Sequence, residues 1–328
     1  VADYFKIPVV EIKRTLAKAK KEIRMNMRKI NILLIVQYQI TALEHYRLLA
    51  PHKRLLETNK EDIHIVMLRG TKDANGNIYE PDLSALTDEQ LREFDLIYFQ
   101  RKISDNSKRS QEIINRLASL NRKIIFDIDD YWILPKDHLL KEHYDNNNYP
   151  SMTTSTLEKV NFVTTTTDIL ANYISKYNSS VSVIPNCISL DDKQFTIRYI
   201  PSERIRFGWF GGIFHLPDIK LIGKSIKKLW LDNSVYDKWQ LVLGGYNLNP
   251  EHKEIEKIFT DNFCFRNYDA TYYEYLQLNT PLMEHISFHK NYKRVWARDI
   301  NSYGDSYNDA DVVLVPLKDN AFSRSKSE

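Results

Sequence analysis

Cysteine is scarce: Cys187 and Cys264 are the two present in 328 residues. Two cysteines cannot build a disulfide framework, so the expected compartment is reducing, the cytoplasm. Long apolar runs are also missing. The longest aliphatic stretch is residues 32–36, far short of the roughly 20 residues a membrane span needs, and no signal-peptide pattern opens the chain. The formal charge of +3 is too small to point to nucleic acid, and no specific nucleic-acid partner is expected. There is no Walker Gly-Lys-Ser/Thr and no GxGxxG, which disfavours ATP and nicotinamide enzymes of those types. No fixed-period repeat or low-complexity segment is visible. What remains is an ordinary globular composition, 43% hydrophobic and 27% charged, whose length predicts about two domains at roughly 150 residues each.

The charge is uneven. Residues 1–30 hold nine Lys/Arg against three acids, a net +6, so the remainder sums to −3. Ile12, Leu16, Ala19 and Ile23 fall on one stripe of a basic amphipathic helix over residues 1–28. One reading is peripheral contact with an anionic membrane surface through residues 9–29. The other is a solvated leading helix packed on its own domain, which the narrow stripe without Trp or Phe favours.

Beyond it, short apolar runs predict strands at 30–36, 63–68, 94–99, 123–128, 162–165 and 181–184, with helices at 43–57, 109–120 and 169–177. Strands alternating with helices mean a parallel sheet covered on both faces. Residues 185–203 break the rhythm and read as a linker. The alternation then restarts, with strands at 206–210, 239–243, 286–289 and 312–315 and helices at 219–231 and 251–260; the aromatic-rich residues 263–283 read as an insertion. The expected fold class is α/β: two tandem Rossmann-like doubly wound domains, 29–184 and 204–328, facing a cleft, with ligands beyond the carboxyl ends of the strands.

Several residues at those ends carry chemistry. Gly208-Trp-Phe-Gly-Gly212 closes the first strand of the second half, where Gly211 and Gly212 let backbone N–H groups approach a phosphate. Asp127-Ile-Asp-Asp130 closes the fourth strand of the first half. By alternation Asp127 and Asp129 are expected on one side and Asp130 elsewhere. They suit a general base or a partner for sugar hydroxyls; a metal is not expected, because no His or Cys lies close in sequence and magnesium usually needs substrate phosphates as well. His215 is a candidate acid, base or phosphate contact; His45 and His138 are weaker ones. Tyr46-Arg47 places a cation near the mouth of the first strand. After the last strand comes a basic, hydroxyl-rich loop in which Arg324, Lys326 and Ser327 are suited to a diphosphate.

Together these residues resemble a glycosyltransferase of the GT-B fold, of the family 4-like retaining enzymes that use nucleotide sugars. The resemblance is carried by His45-Tyr-Arg-Leu-Leu-Ala-Pro51, Phe99-Gln-Arg101, Phe126-Asp-Ile-Asp-Asp130, Val163-Thr-Thr165, Val183-Ile-Pro-Asn186, Arg206-Phe-Gly-Trp-Phe-Gly-Gly212 with His215 and Asp218, Leu243-Gly-Gly245, and Tyr307-Asn-Asp-Ala-Asp311 through Phe322 to Lys326-Ser327. It implies a donor domain in the second half, with Gly211, Gly212, Arg324, Lys326 and Ser327 on the diphosphate and Arg294, Val295 and Ala297 near the nucleoside. It implies an acceptor domain in the first half, with Asp129, Asp130, Tyr46 and Arg47 near a glycan or other hydroxyl acceptor, and His215 joining the aspartates as a catalytic candidate. No metal or other cofactor is obligatory in the family; the nucleotide-diphosphate sugar is a substrate. Two departures stand out. The family's arginine-plus-lysine pair after the first donor-domain strand is absent, and its Glu-containing motif lies a little beyond Lys326-Ser327. The resemblance therefore implies an incomplete donor domain, with little or no transferase activity in this chain by itself. The competing readings are a non-catalytic GT-B-like binding module of a larger assembly and a GT-B sugar-nucleotide epimerase.

Overall fold

The structure, a computed structural model, describes residues 29–37, 42–59, 61–246, 287–289 and 291–326. The helices expected over 1–28 and 251–260, the insertion 263–283 and Ser327 lie outside the described residues. The chain divides into two compact units. Among the described residues, one holds those up to Lys136, Leu140–Cys187 and those from Arg324 on; the other holds Asp137–Leu139 and those within Ile188–Ser323. The residues from Arg324 on therefore group with the first unit, whereas the sequence boundaries put them in the second. A hydrogen bond from the Thr167 hydroxyl to the Ser325 carbonyl, 2.9 Å, helps to tie them there.

The first unit is built on six parallel strands: β1 (Ile30–Val36), β2 (Ile63–Arg69), β5 (Leu96–Gln100), β6 (Lys123–Asp127), β7 (Phe162–Thr165) and β8 (Val181–Val183), in the order β2-β1-β5-β6-β7-β8. A two-stranded antiparallel hairpin, β3 (Thr71–Lys72) with β4 (Ile78–Tyr79), stands apart. Strand β1 shows why the sheet is covered on both faces. Leu33 and Ile35 pack with Val66, Leu68, Ile97, Phe99 and Phe126. Ile32, Leu34 and Val36 pack with Leu48, Leu49, Met67 and Tyr98. A strand apolar on both sides is stable only when helices cover both faces. A π-helical turn, Glu44–Leu49, runs into α1 (Ala50–Asn59); α2 (Ser107–Ser119), α3 (Tyr149–Lys159) and α4 (Asp168–Ile174) follow. Helix α2 starts where the Asn106 side chain accepts from the Arg109 N–H at 2.9 Å, and α4 where the Thr167 hydroxyl accepts from the Leu170 N–H. The strand order reverses direction between β1 and β5, so their carboxyl ends form a topological switch point.

The second unit has five strands among the described residues: β9 (Ile205–Phe210), β10 (Trp239–Tyr246), β11 (Ser287–His289), β12 (Tyr292–Trp296) and β13 (Val312–Val313), ordered β11-β12-β10-β9-β13. All pairs are parallel except β11 with β12. Trp209, Ile226 of α5 (Gly223–Leu231), Trp239, Leu241, Leu243 and Tyr292 make its core. Its switch point lies between β9 and β13. Residues 292–296, which the apolar pattern assigns to no strand, are strand β12. Two cations hid it: Arg294 is 2% exposed inside the sheet and the Lys293 ammonium pairs with Asp309. Among the described residues no helix is long and apolar enough to cross a membrane.

Candidate functional site

The carboxyl ends of β5 and β6 gather two arginine–aspartate forks. The first is sealed. Arg47, from the helical turn that follows β1, donates from Nε to Asp127 Oδ2 at 3.0 Å and from Nη2 to Asp127 Oδ1. Its Nη1 reaches the Ile184 carbonyl and, at 3.3 Å, the Asn186 side-chain oxygen. The two side chains are 3% and 0% exposed. Asp127 also accepts from the Thr164 hydroxyl at 2.6 Å and the Tyr98 phenol at 3.4 Å. Burial, and then the Asp127 charge, push the Tyr98 phenol well above its ordinary pKa. The cation expected at the mouth of β1 is thus held inside the unit and ties β6 to the segment that leaves β8. Tyr46, beside it, is half-buried and edge-on to His45, with ring centroids 5.0 Å apart.

The second fork is open. Arg101, directly after β5, donates from Nε to Asp129 Oδ1 at 2.8 Å, and from Nη2 to Asp129 Oδ2 at 3.2 Å and Asp130 Oδ2 at 2.7 Å. The arginine side chain is 38% exposed, Asp129 5% and Asp130 30%. The Lys326 ammonium lies 3.5 Å from Asp130 Oδ1. Burial pushes the Asp129 carboxyl above the usual carboxylate range; Arg101 pulls it back and Asp130 pushes it further up. Tyr144 stands in the same field, its phenol raised by burial and by both aspartates while Arg101 opposes. The expectation that Asp127 and Asp129 face one side is corrected. Strand β6 ends at Asp127, so alternation stops there: Asp127 turns to Arg47, while Asp129 and Asp130 share Arg101. Arg101 was legible only as part of a motif, although its place immediately after a strand end marks it. Its backbone is left-handed, with φ of 57°, and the Lys102 N–H closes back on the Gln100 carbonyl across it at 2.6 Å. Such a conformation costs an arginine about 1–3 kcal/mol and clusters at functional sites. Beside it, Gln100 is 7% exposed and its Nε2 has no hydrogen-bond partner among the described residues.

In the second unit the turn after β9 is shaped by glycine. A side chain at Gly212 would meet open space, whereas one at Gly211 would strike the Trp209 ring. Gly245, at φ of 78°, brings the end of β10 against the Gly211 carbonyl, where a Cβ would lie 2.7 Å from the oxygen. His215 follows, its Nδ1 3.0 Å from Asp218 Oδ2, and Asp218 Oδ1 accepts from the Lys318 N–H at 2.9 Å. His138 lies against Phe214 and Phe322. Arg324 is exposed at the end of a short helix, Ala321–Arg324. Arg294 and Val295 are buried within β12, and Ala297 is exposed just past its end. The structure therefore brings Asp129, Asp130 and Lys326 together, and Gly211, Gly212 and His215 together. Among the described residues no group of three or more His, Cys, Asp or Glu side chains could hold a metal ion.

No protein family and no curated protein matches the chain in sequence. Solved structures do match in fold. Sucrose-phosphate synthase from Thermosynechococcus elongatus is 13% identical, with 87% of this chain and 75% of that chain covered and a TM-score of 0.54. The E. coli trehalose-6-phosphate protein bound with UDP-2-fluoro glucose is 10% identical, with 90% and 82% covered and a TM-score of 0.52. The likeness establishes the fold: mixed α/β with parallel, Rossmann-like sheets of the GT-B type.

Proposed function

We propose that the chain is a nucleotide-sugar-dependent glycosyltransferase, acting with retention in the manner of the family 4-like enzymes it resembles, and that its own residues suffice for nucleotide release despite the incomplete donor domain that the resemblance implies. The open fork carries the reading: a buried carboxyl, Asp129, is presented by an arginine at a topological switch point, which suits a group that takes the proton of an attacking hydroxyl. In this reading the first unit takes a glycan or other hydroxyl acceptor, with Asp129 as base and Asp130, Tyr46 and the Gln100 amide beside it. The second takes the donor. The bare Gly211-Gly212 turn serves the diphosphate, His215 flanks it, and Ala297, past the end of the strand that holds Arg294 and Val295, lies on the nucleoside side; Arg324 and Lys326 group with the first unit, where Lys326 pairs with Asp130. The acceptor oxygen bonds to the anomeric carbon on the face from which the diphosphate departs, as the carbon–diphosphate oxygen bond breaks, so the configuration is retained; the diphosphate leaves with the electron pair and Asp129 takes the proton. Backbone N–H groups and cations stabilise the leaving charge without an obligatory metal. The compartment is cytoplasmic, with residues 9–29 a candidate contact for an anionic membrane surface.

A panel of nucleoside diphosphates and nucleotide sugars tests this. A matching ligand at 100 times its dissociation constant adds about 2.7 kcal/mol of stability, and its sugar conjugate is turned over with nucleotide release that Asp129→Asn lowers by about a hundredfold or more. Stabilisation without release supports a binding module instead; an epimeric sugar made from donor alone supports an epimerase. No ligand in the panel shifting the melt and no release from any donor would falsify the transferase.

A further inference from the structure

We infer that Arg101 is a positioning residue for this site: its guanidinium, turned back over the end of β5 by a left-handed backbone, holds Asp129 and Asp130 in one fixed arrangement. The inference rests on the transferase reading and deepens it. Three observations carry it. The fork bonds three carboxylate oxygens at once, two on Asp129 and one on Asp130. The arrangement is kept despite an unfavourable φ at Arg101, which the fold tolerates only where surrounding contacts over-determine it. And the fork is not sealed in the core, since more than a third of the arginine side chain meets solvent, so packing alone does not demand it. A lysine offers one point charge where this geometry uses a planar fork.

Arg101 acts through Asp129. The other groups that face this carboxyl are Asp127 and Asp130 on its own strand extension, Arg47 from the turn before α1, Tyr144 from the helix Lys141–Asn146, and Thr166 after β7, whose hydroxyl bonds the Asp129 carbonyl; Lys326 neutralises part of Asp130. Removing Arg101 takes away the charge that pulls the Asp129 carboxyl down, so the acid limb of the pH–rate profile moves to higher pH.

The test uses two variants of the full chain. Arg101→Gly removes the fork and also relieves the left-handed backbone, which offsets part of the lost pairing; Arg101→Lys keeps the charge and loses the fork. Expected are a fall in kcat of about a hundredfold in Arg101→Gly, donor KM unchanged, and an acid limb moved upward. In Arg101→Lys the limb returns toward its wild-type position while kcat stays low. Nucleotide release by the wild type with an unmoved limb in Arg101→Gly, or with kcat unchanged, overturns the positioning role alone. No release by the wild type overturns the transferase reading itself. In that case, carboxyl-carbon NMR titration of Asp129 in the two proteins still decides whether Arg101 controls this carboxyl.

Discussion

The Arg47–Asp127 fork and the Arg101–Asp129 fork use the same two side-chain types at the carboxyl end of the same sheet, yet water reaches only one of them. In the first, both partners are almost fully buried and the guanidinium is engaged on a carboxylate, a main-chain carbonyl and an amide oxygen. In the second, a buried carboxylate meets an arginine that stays 38% exposed. Desolvation separates their roles. A sealed pair holds the unit together because each charge would be stranded without the other. An open pair contributes less to folding, since water can partly replace the exposed arginine, and that arginine is free to face a ligand. Two arginine–aspartate pairs with similar geometry thus differ in their access to water, one sealed in the packing and the other open on its arginine side.

The largest expected effect breaks the sealed pair. Arg47→Ala leaves Asp127 buried and uncompensated, and urea unfolding is expected to show a loss of about 3–5 kcal/mol. Arg101→Ala is expected to cost less in the same measurement, because water reaches the arginine side of the pair and can take over part of its role, while lowering turnover steeply. Equal losses in the two variants refute the distinction. Salt sharpens it. At about 1 M ionic strength the screening length falls to roughly 3 Å, so the stability gap between wild type and Arg101→Ala narrows. The gap to Arg47→Ala persists, since solvent ions do not reach a pair this deep.

The forks also mark how far the sequence could be read. Strands 30–36 and 162–165 coincide with β1 and β7 residue for residue, because an unbroken aliphatic run or a Phe-Val-Thr-Thr stretch admits few other uses. Strand β12 escaped because Lys293 and Arg294 interrupt its pattern, and only the tertiary structure shows the arginine buried. The aspartates were legible as a strand-end cluster. Their partners were not: Arg101 lies 28 residues and Arg47 80 residues away in the chain. Which arginine meets which aspartate depends on strand order and on β6 ending at Asp127, and no periodicity encodes that.

The smallest expected effect is a slope in stability against pH, and it separates the two forks without any substrate. The folded chain holds the Asp129 proton to higher pH than the unfolded chain does, chiefly through burial. Between those two pKa values the folded state binds more protons, so the Asp129 contribution to stability falls as pH rises through the window above the ordinary carboxylate range, and is level on either side. Other carboxyls, such as Asp105, Asp137 and Asp311, are depressed and act in the opposite sense at acid pH. They cancel when wild type is compared with Asp129→Asn, which does not titrate at this position. The difference curve should therefore decline across that window. In the Arg101→Gly background the same comparison should decline over a wider range, because the charge that held the carboxyl down is gone. A difference curve that is flat in both backgrounds means that water solvates Asp129 as freely as it does an exposed aspartate, and then nothing distinguishes the open fork from an ordinary surface ion pair.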